Sequence, residues 1–202
     1  DTSSGGGFGG CEDPRLTEIK EDGMIYMTYT AFKGSDCPRM AITSIKTNDF
    51  LNKRWIWKEP ALISKPNETS KNWVLFPEKI NGKYAVVHSV CSEVRVAYFD
   101  DLNFDGKTFI ESHYSPEGRK DCWDNWVRGV GPPPLRIKEG WLLFYHAMDR
   151  RDPGRYKLGA MILDHKDPTR ILHRSDDPFL EPNESYENEG FKAGVIYCCG
   201  AV

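Results

Sequence analysis

Three short blocks concentrate the residues able to do chemistry. They are Cys11-Glu12-Asp13-Pro14-Arg15, Phe76-Pro77-Glu78-Lys79 and Gly131-Pro132-Pro133-Pro134. The first two set carboxylates beside cations at Glu12, Asp13, Arg15, Glu78 and Lys79. A carboxyl group can hand a proton to a leaving oxygen, and a guanidinium or ammonium can hold an anion. Asp13 also fits a plainer role, capping the turn before Pro14 and pairing Arg15. The residues alone leave both roles open. Carboxylates that could instead activate water stand at Glu93, Asp149 and Glu189. Glu189 is preferred, because its Tyr186-Glu187-Asn188-Glu189-Gly190 loop leads into the last apolar run.

Each block precedes a glycine turn and an apolar run, and the turns repeat. Asp22-Gly23 opens Met24 to Thr30, Asn81-Gly82 opens Lys83 to His88, and Glu139-Gly140 opens Trp141 to His146. The glycines fall 59 and then 58 residues apart. A turn dipeptide followed by β-branched and aromatic residues is a hairpin signal. A second run follows each time, at Met40 to Ile45, Val94 to Phe99 and Lys157 to Leu163, then acidic turns at Asn48-Asp49, Asp100-Asp101 and Asp164. No stretch sustains a 3.6-residue apolar period, so long helices are not expected.

A period near 60 residues of antiparallel strands fits a β-propeller blade, the alternative being a sandwich with coincidental spacing. The fold class expected is all-β, with residues 1–202 as a single propeller domain. At this period the chain holds about three to three and a half blades, short of the four to eight that close a ring. Val195 to Val202 reads as one more strand, cut off. Blades pack through apolar residues, so charges repeated at equivalent places point to a ligand site.

Composition narrows the partners. Lys plus Arg total 27 against 30 for Asp plus Glu, a net charge of −3 without the basic excess of a nucleic-acid surface. No apolar run nears the roughly 18 residues of a membrane helix. The six cysteines form no C-x-x-C pair and are expected to be reduced and mostly buried, and no metal-ligand spacing is seen. The start shows no initiator Met, charged n-region or apolar h-region, so it reads as a fragment. Targeting is unreadable from it; a cytoplasmic protein is favoured, a periplasmic one the alternative.

The ordered blocks resemble glycoside hydrolase family 130. The likeness rests on Gly10-Cys11-Glu12-Asp13-Pro14-Arg15 with Tyr26 to Ala31, on Val74 to Tyr84, on Gly131-Pro132-Pro133-Pro134 with Gly140 to His146, on Tyr186-Glu187, and on the Cys199-Gly200 ending. It runs from about Gly10 to the last residue. The resemblance implies a five-bladed β-propeller with a central sugar site, of which most of the first blade and the last strands lie outside this chain. Its members cleave β-mannosides with inversion, either as phosphorylases or as hydrolases. A mannoside or oligosaccharide substrate is therefore expected, with no nucleic-acid or membrane partner; a homo-oligomer is left open. No cofactor is expected, inorganic phosphate being the co-substrate of a phosphorylase.

The resemblance also assigns residues. Asp13 matches the family's acid, thought to act through a sugar hydroxyl. Arg15 and Lys79 fall within the matching blocks. Lys71 stands where an Arg is usual, and Asn72 matches a sugar-contacting Asn. His146 and Tyr156 match phosphate-side positions. Ser89 replaces an Arg and Val127 a Lys, with Arg128 one residue from that place. Losing two cationic partners, at roughly 1.5–3 kcal/mol each, would weaken phosphate binding by a factor on the order of 10²–10⁴. Hydrolysis is therefore expected over phosphorolysis, a non-catalytic sugar-binding propeller being the third reading. Ser89→Arg with Val127→Lys is expected to tighten phosphate binding.

Overall fold

The structure, a computed structural model, describes residues 9–34 and 36–202. Among the described residues the chain is nearly all strand and loop, its two α-helices being α1 (Thr47–Leu51) and α2 (Ser185–Asn188). Neither is long and apolar enough to cross a membrane.

Among the described residues, twelve strands form three sheets. The first joins β1 (Gly10–Ile19), β2 (Met24–Phe32), β3 (Arg39–Lys46) and β4 (Ala61–Leu62) in that order. The second joins β5 (Val74–Leu75), β6 (Tyr84–Val90) and β7 (Val94–Phe99). The third runs β8 (Trp126–Val130), β10 (Trp141–Met148), β11 (Lys157–Leu163) and β12 (Ile171–Arg174), with β9 (Leu135–Arg136) also paired to β10. The stretches after Gly23, Gly82 and Gly140 thus become β2, β6 and β10, each the second strand of its sheet. The following runs become β3, β7 and β11. Asn48-Asp49, read as a turn, lies inside α1.

Two of these glycines, Gly82 and Gly140, are needed for different reasons. Asn81 and Gly82 both have positive φ, 52° and 79°, the backbone of a tight hairpin turn closed by the Ile80–Lys83 bridge. Gly140 is required by contact, since a Cβ there would stand 2.2 Å from the Leu163 carbonyl oxygen.

The contacts divide the chain into two compact units. Among the described residues, the first comprises 9–34, 36–88 and 97–114, the second 89–96 and 115–202. In the first, Ile19, Met40, Ile42, Ile63, Trp73, Leu75, Tyr84 and Val86 form the core. Its polar neighbours Thr28 and Thr30 are also buried, and the Thr28 hydroxyl donates to the Trp73 carbonyl at 2.8 Å. In the second, Val127, Val130, Leu143, Tyr145, Leu158, Met161 and Leu163 are buried.

Two expectations fail. The segment after Val195 is not a strand: after the Tyr156–Val195 bridge, the Cys198 N–H donates to a His146 ring nitrogen instead of a ladder carbonyl. The cysteines are free thiols, but only Cys91 is buried, while Cys11 and Cys199 are exposed. Cys11 lies at the start of β1, and Cys199 follows the point where strand pairing stops.

Candidate functional site

In the first unit, the Glu12-Asp13-Pro14-Arg15 block lies on β1, an edge strand. The β1–β2 ladder pairs Glu12 with Thr30 and Arg15 with Thr28, so Asp13 and Pro14 together stand against one residue. This is a β-bulge. Pro14 has no N–H to give the ladder, and proline in sheets is confined to edges and bulges. Asp13 takes a φ of 51°, sparsely populated for a non-glycine residue.

The residue after the bulge is a wholly buried arginine. Arg15 donates from Nη1 to the Asp13 backbone oxygen at 2.5 Å and from Nη2 to Asn72 Oδ1 at 2.9 Å. Asn72 is itself buried with a φ of 64°, and its neighbour Lys71 pairs with Glu12 at 3.1 Å. With the Thr28–Trp73 bond, three successive residues, Lys71 to Trp73, are each tied to the β1–β2 hairpin. Five of the sequence candidates, Glu12, Asp13, Arg15, Lys71 and Asn72, are thereby gathered into one cluster.

Lys79 is placed elsewhere. It sits 3.7 Å from Glu21 and 3.9 Å from Asp22, and 4.6 Å above the Tyr84 ring. Asp22 also accepts the Tyr26 and Tyr84 hydroxyls at 3.0 and 2.7 Å. Burial, and then Asp22, push the Tyr26 hydroxyl well above the usual tyrosine range. This group closes the Gly23 turn, whereas Asp13 lies near the other end of β1.

In the second unit, β8 carries another bulge. His146 pairs with Gly129 and Ala147 with Val127, so Arg128 is the extra residue. Gly129 has a φ of 136°, which glycine adopts without strain. The flanking Val127 is completely buried. Arg128 donates from Nε to the Tyr156 hydroxyl at 2.8 Å, and its guanidinium lies 5.2 Å from the Trp126 ring centroid. Arg150 lies 5.3 Å from the same ring and pairs with Glu117. Arg128 and Tyr156 are thus brought together.

His146, fully buried, stacks on Tyr197 at 4.0 Å and accepts the Cys198 N–H at Nε2, 2.8 Å away. An accepting Nε2 fixes the neutral ring with its proton on Nδ1. In this arrangement His146 holds the 197–198 segment and carries no positive charge.

The water-activating carboxylates fare unequally. Arg151 and Asn125 hold the Asp149 carboxyl far below the usual carboxylate range, which makes it a weak base. Glu93 is exposed and pairs with Arg95 at 3.6 Å. Glu189 is exposed at the end of α2, and the structure does not join it to Arg128, Tyr156 or His146. Its neighbour Glu187 has a structural role, accepting the Asn183 and Glu184 N–H groups.

One group escaped the sequence reading. Asp124, completely buried, accepts from Arg119 Nε at 2.9 Å and from the Tyr145 hydroxyl at 2.8 Å, and pairs with Arg174 Nη2 at 2.9 Å. Its partners lie up to 50 residues away in sequence. The only local signal was an Asp between Trp123 and Asn125 in a loop with no period.

The family described as β-1,4-mannooligosaccharide phosphorylase matches residues 3–202. Two curated relatives from Thermoanaerobacter sp. (strain X514) are each 37% identical: a 1,2-β-oligomannan phosphorylase, over 95% of this chain and 60% of its own length, and a β-1,2-mannobiose phosphorylase, over 96% and 59%. The solved β-1,2-mannobiose phosphorylase of Listeria innocua superposes with a TM-score of 0.71 at 31% identity, over 96% of this chain and 52% of that one. The chain therefore spans roughly half to three-fifths of the length of these proteins. By this likeness the fold is a partial β-propeller. All three names are those of phosphorylases, which favours the alternative to the expected hydrolysis.

Proposed function

Because the chain belongs to glycoside hydrolase family 130, we propose that the protein cleaves β-linked mannosides by phosphorolysis, with β-1,2-linked mannobiose or oligomannan as substrate. The observation that carries this reading is the bulge at Arg128, which turns a cation toward the Tyr156 hydroxyl. The argument for hydrolysis counted Val127 as a lost cation. Val127 is a core residue, and the side chain directed to Tyr156 is that of Arg128. A bulge adds one residue to the strand, so the cation reaches the site from the next position.

Two parts of the chemistry are each met within one unit, a proton donor in the first and an anion-holding pair in the second. Asp13 is the proton donor for the leaving oxygen, through a sugar hydroxyl. Arg15 and Asn72 fix the bulged backbone that presents it. Lys71 supplies positive charge beside Glu12. In the second unit, Arg128 holds phosphate with a planar fork of donors suited to its oxygens. The Tyr156 oxygen accepts from Arg128, so its own proton points elsewhere and can be donated to the anion. Phosphate is largely dianionic near pH 7, its second pKa being about 6. One phosphate oxygen bonds to the anomeric carbon as the glycosidic C–O bond breaks. The departing oxygen takes the proton, and the products are mannose 1-phosphate and the shortened mannoside.

The experiment is incubation of the full-length protein with β-1,2-mannobiose in phosphate and in phosphate-free buffer. Mannose 1-phosphate formed only when phosphate is present is the expected result. Free mannose released at the same rate without phosphate would return the reading to hydrolysis, consistent with Ser89 in place of an Arg.

A further inference from the structure

We infer that Asp124 is a positioning residue that holds the Arg128 bulge in register and so sets phosphate affinity, an inference resting on Arg128–Tyr156 as the phosphate-binding pair. A buried carboxylate is tolerated only when paired and hydrogen-bonded. Asp124 meets that condition through hydrogen-bond donors on two elements, Arg119 in the loop before β8 and Tyr145 on β10, and through an ion pair with Arg174 on β12. The two arginines reach further, Arg119 to the Ser175 carbonyl at 2.7 Å and Arg174 to the Cys91 carbonyl at 3.4 Å, with the Arg174 guanidinium over the Tyr145 ring. One carboxylate thus organises two guanidiniums that would otherwise repel one another.

The network stands four residues before Arg128. The backbone between is equally fixed: a Cβ on Gly118 would lie 1.8 Å from the Asp124 carbonyl oxygen, and Asn125 bonds Cys122, Asp149 and Arg150. Beyond Arg128 the ladder resumes at Gly129–His146. A bulge can move by one residue if one side of it slips. A one-residue slip turns every side chain of the slipped stretch to the other face. If Trp126 and Val127 shifted against Met148 and Ala147, Arg128 would turn away from Tyr156. Asp124 fixes the upstream side against that slip, and Tyr145, the residue next to His146 on β10, is the strand's own anchor to it.

The test is calorimetric titration of the full-length protein with inorganic phosphate, paired with separate KM values for phosphate and mannoside. Wild-type protein that binds no phosphate overturns the phosphate-site reading itself. With binding present in the wild type, Asp124→Asn is expected to weaken it about ten- to a hundredfold, the scale of a small misplacement of a binding group, with the mannoside KM within about twofold. Unchanged phosphate binding, or equal loss for both substrates, overturns the inference. Should Asp124→Asn not fold, Tyr145→Phe removes one donor and keeps the ring. A severalfold loss confined to phosphate supports the inference in that variant, and none overturns it.

Discussion

Both the first and third sheets open with a strand carrying one extra residue, but the chain makes room for it in two ways. In β1 the cause is local: Pro14 cannot donate to the ladder, and Asp13 takes a positive φ before it. In β8 no proline is involved. A glycine bends the strand beyond Arg128, and the displaced side chain is held by Tyr156 from outside the strand and by Trp126 from within it. The β1 bulge is closed by a buried arginine acting on its own backbone. The β8 bulge directs its arginine to the Tyr156 hydroxyl, as the proposed phosphate-holding group. A bulge made by covalent structure stays where the proline is, whereas one made by packing depends on what packs against it.

The largest effect is expected where that contrast meets chemistry. Asp13→Asn keeps the bulge and removes the transferable proton, so the rate should fall on the order of 10²–10⁴-fold with an unchanged melting temperature. Full activity on a verified mannoside would remove Asp13 from the acid role. Val127→Lys comes next, and it reverses the expectation drawn from sequence alone. The side chain would enter a site with no exposure, leaving an uncompensated buried charge at a cost on the order of 3–5 kcal/mol. A denaturant melt of the variant should show that loss; a stable protein with tighter phosphate binding would put the cation site at Val127 after all.

Arg128→Leu sharpens the comparison from the other side. One charge-assisted interaction of about 1.5–3 kcal/mol corresponds to roughly ten- to a hundredfold weaker phosphate binding, read as a rise in phosphate KM with the mannoside KM steady. A matching rise in both would make Arg128 a general support of the strand. The smallest effect concerns pH. Asp149, beside β10, has its folded pKa depressed by Arg151 and Asn125. Its contribution is therefore complete above the ordinary carboxylate range and is lost as pH falls below it. Asp149→Asn should destabilise the protein near about pH 7, and the gap between variant and wild type should close toward about pH 2. A gap of constant size would mean the charge contributes nothing.

The strand grammar was legible because it is local. Turn dipeptides at Asp22-Gly23, Asn81-Gly82 and Glu139-Gly140 and the β-branched runs after them fix hairpins through short-range geometry, and β2, β6 and β10 followed. The Asp13–Pro14 bulge was half legible, since the proline announced a break without saying where the carboxylate would go. Lys79 misled. Its block repeats the pattern of the first, but Glu21, Asp22 and the Tyr84 ring surround it at the far end of β1.

By itself the sequence determined an all-β chain of repeated hairpins, the family it belongs to, and the residue types available for acid and cation roles, because alternation, turn chemistry and motif order act between near neighbours. Only the tertiary structure decided that Arg15 reaches Asn72 across 57 residues, that Arg128 rather than Val127 faces Tyr156, and that Asp124 collects Arg119, Tyr145 and Arg174. A bulge shifts register by one residue and a buried carboxylate draws its partners from other strands, so both depend on which strands pair.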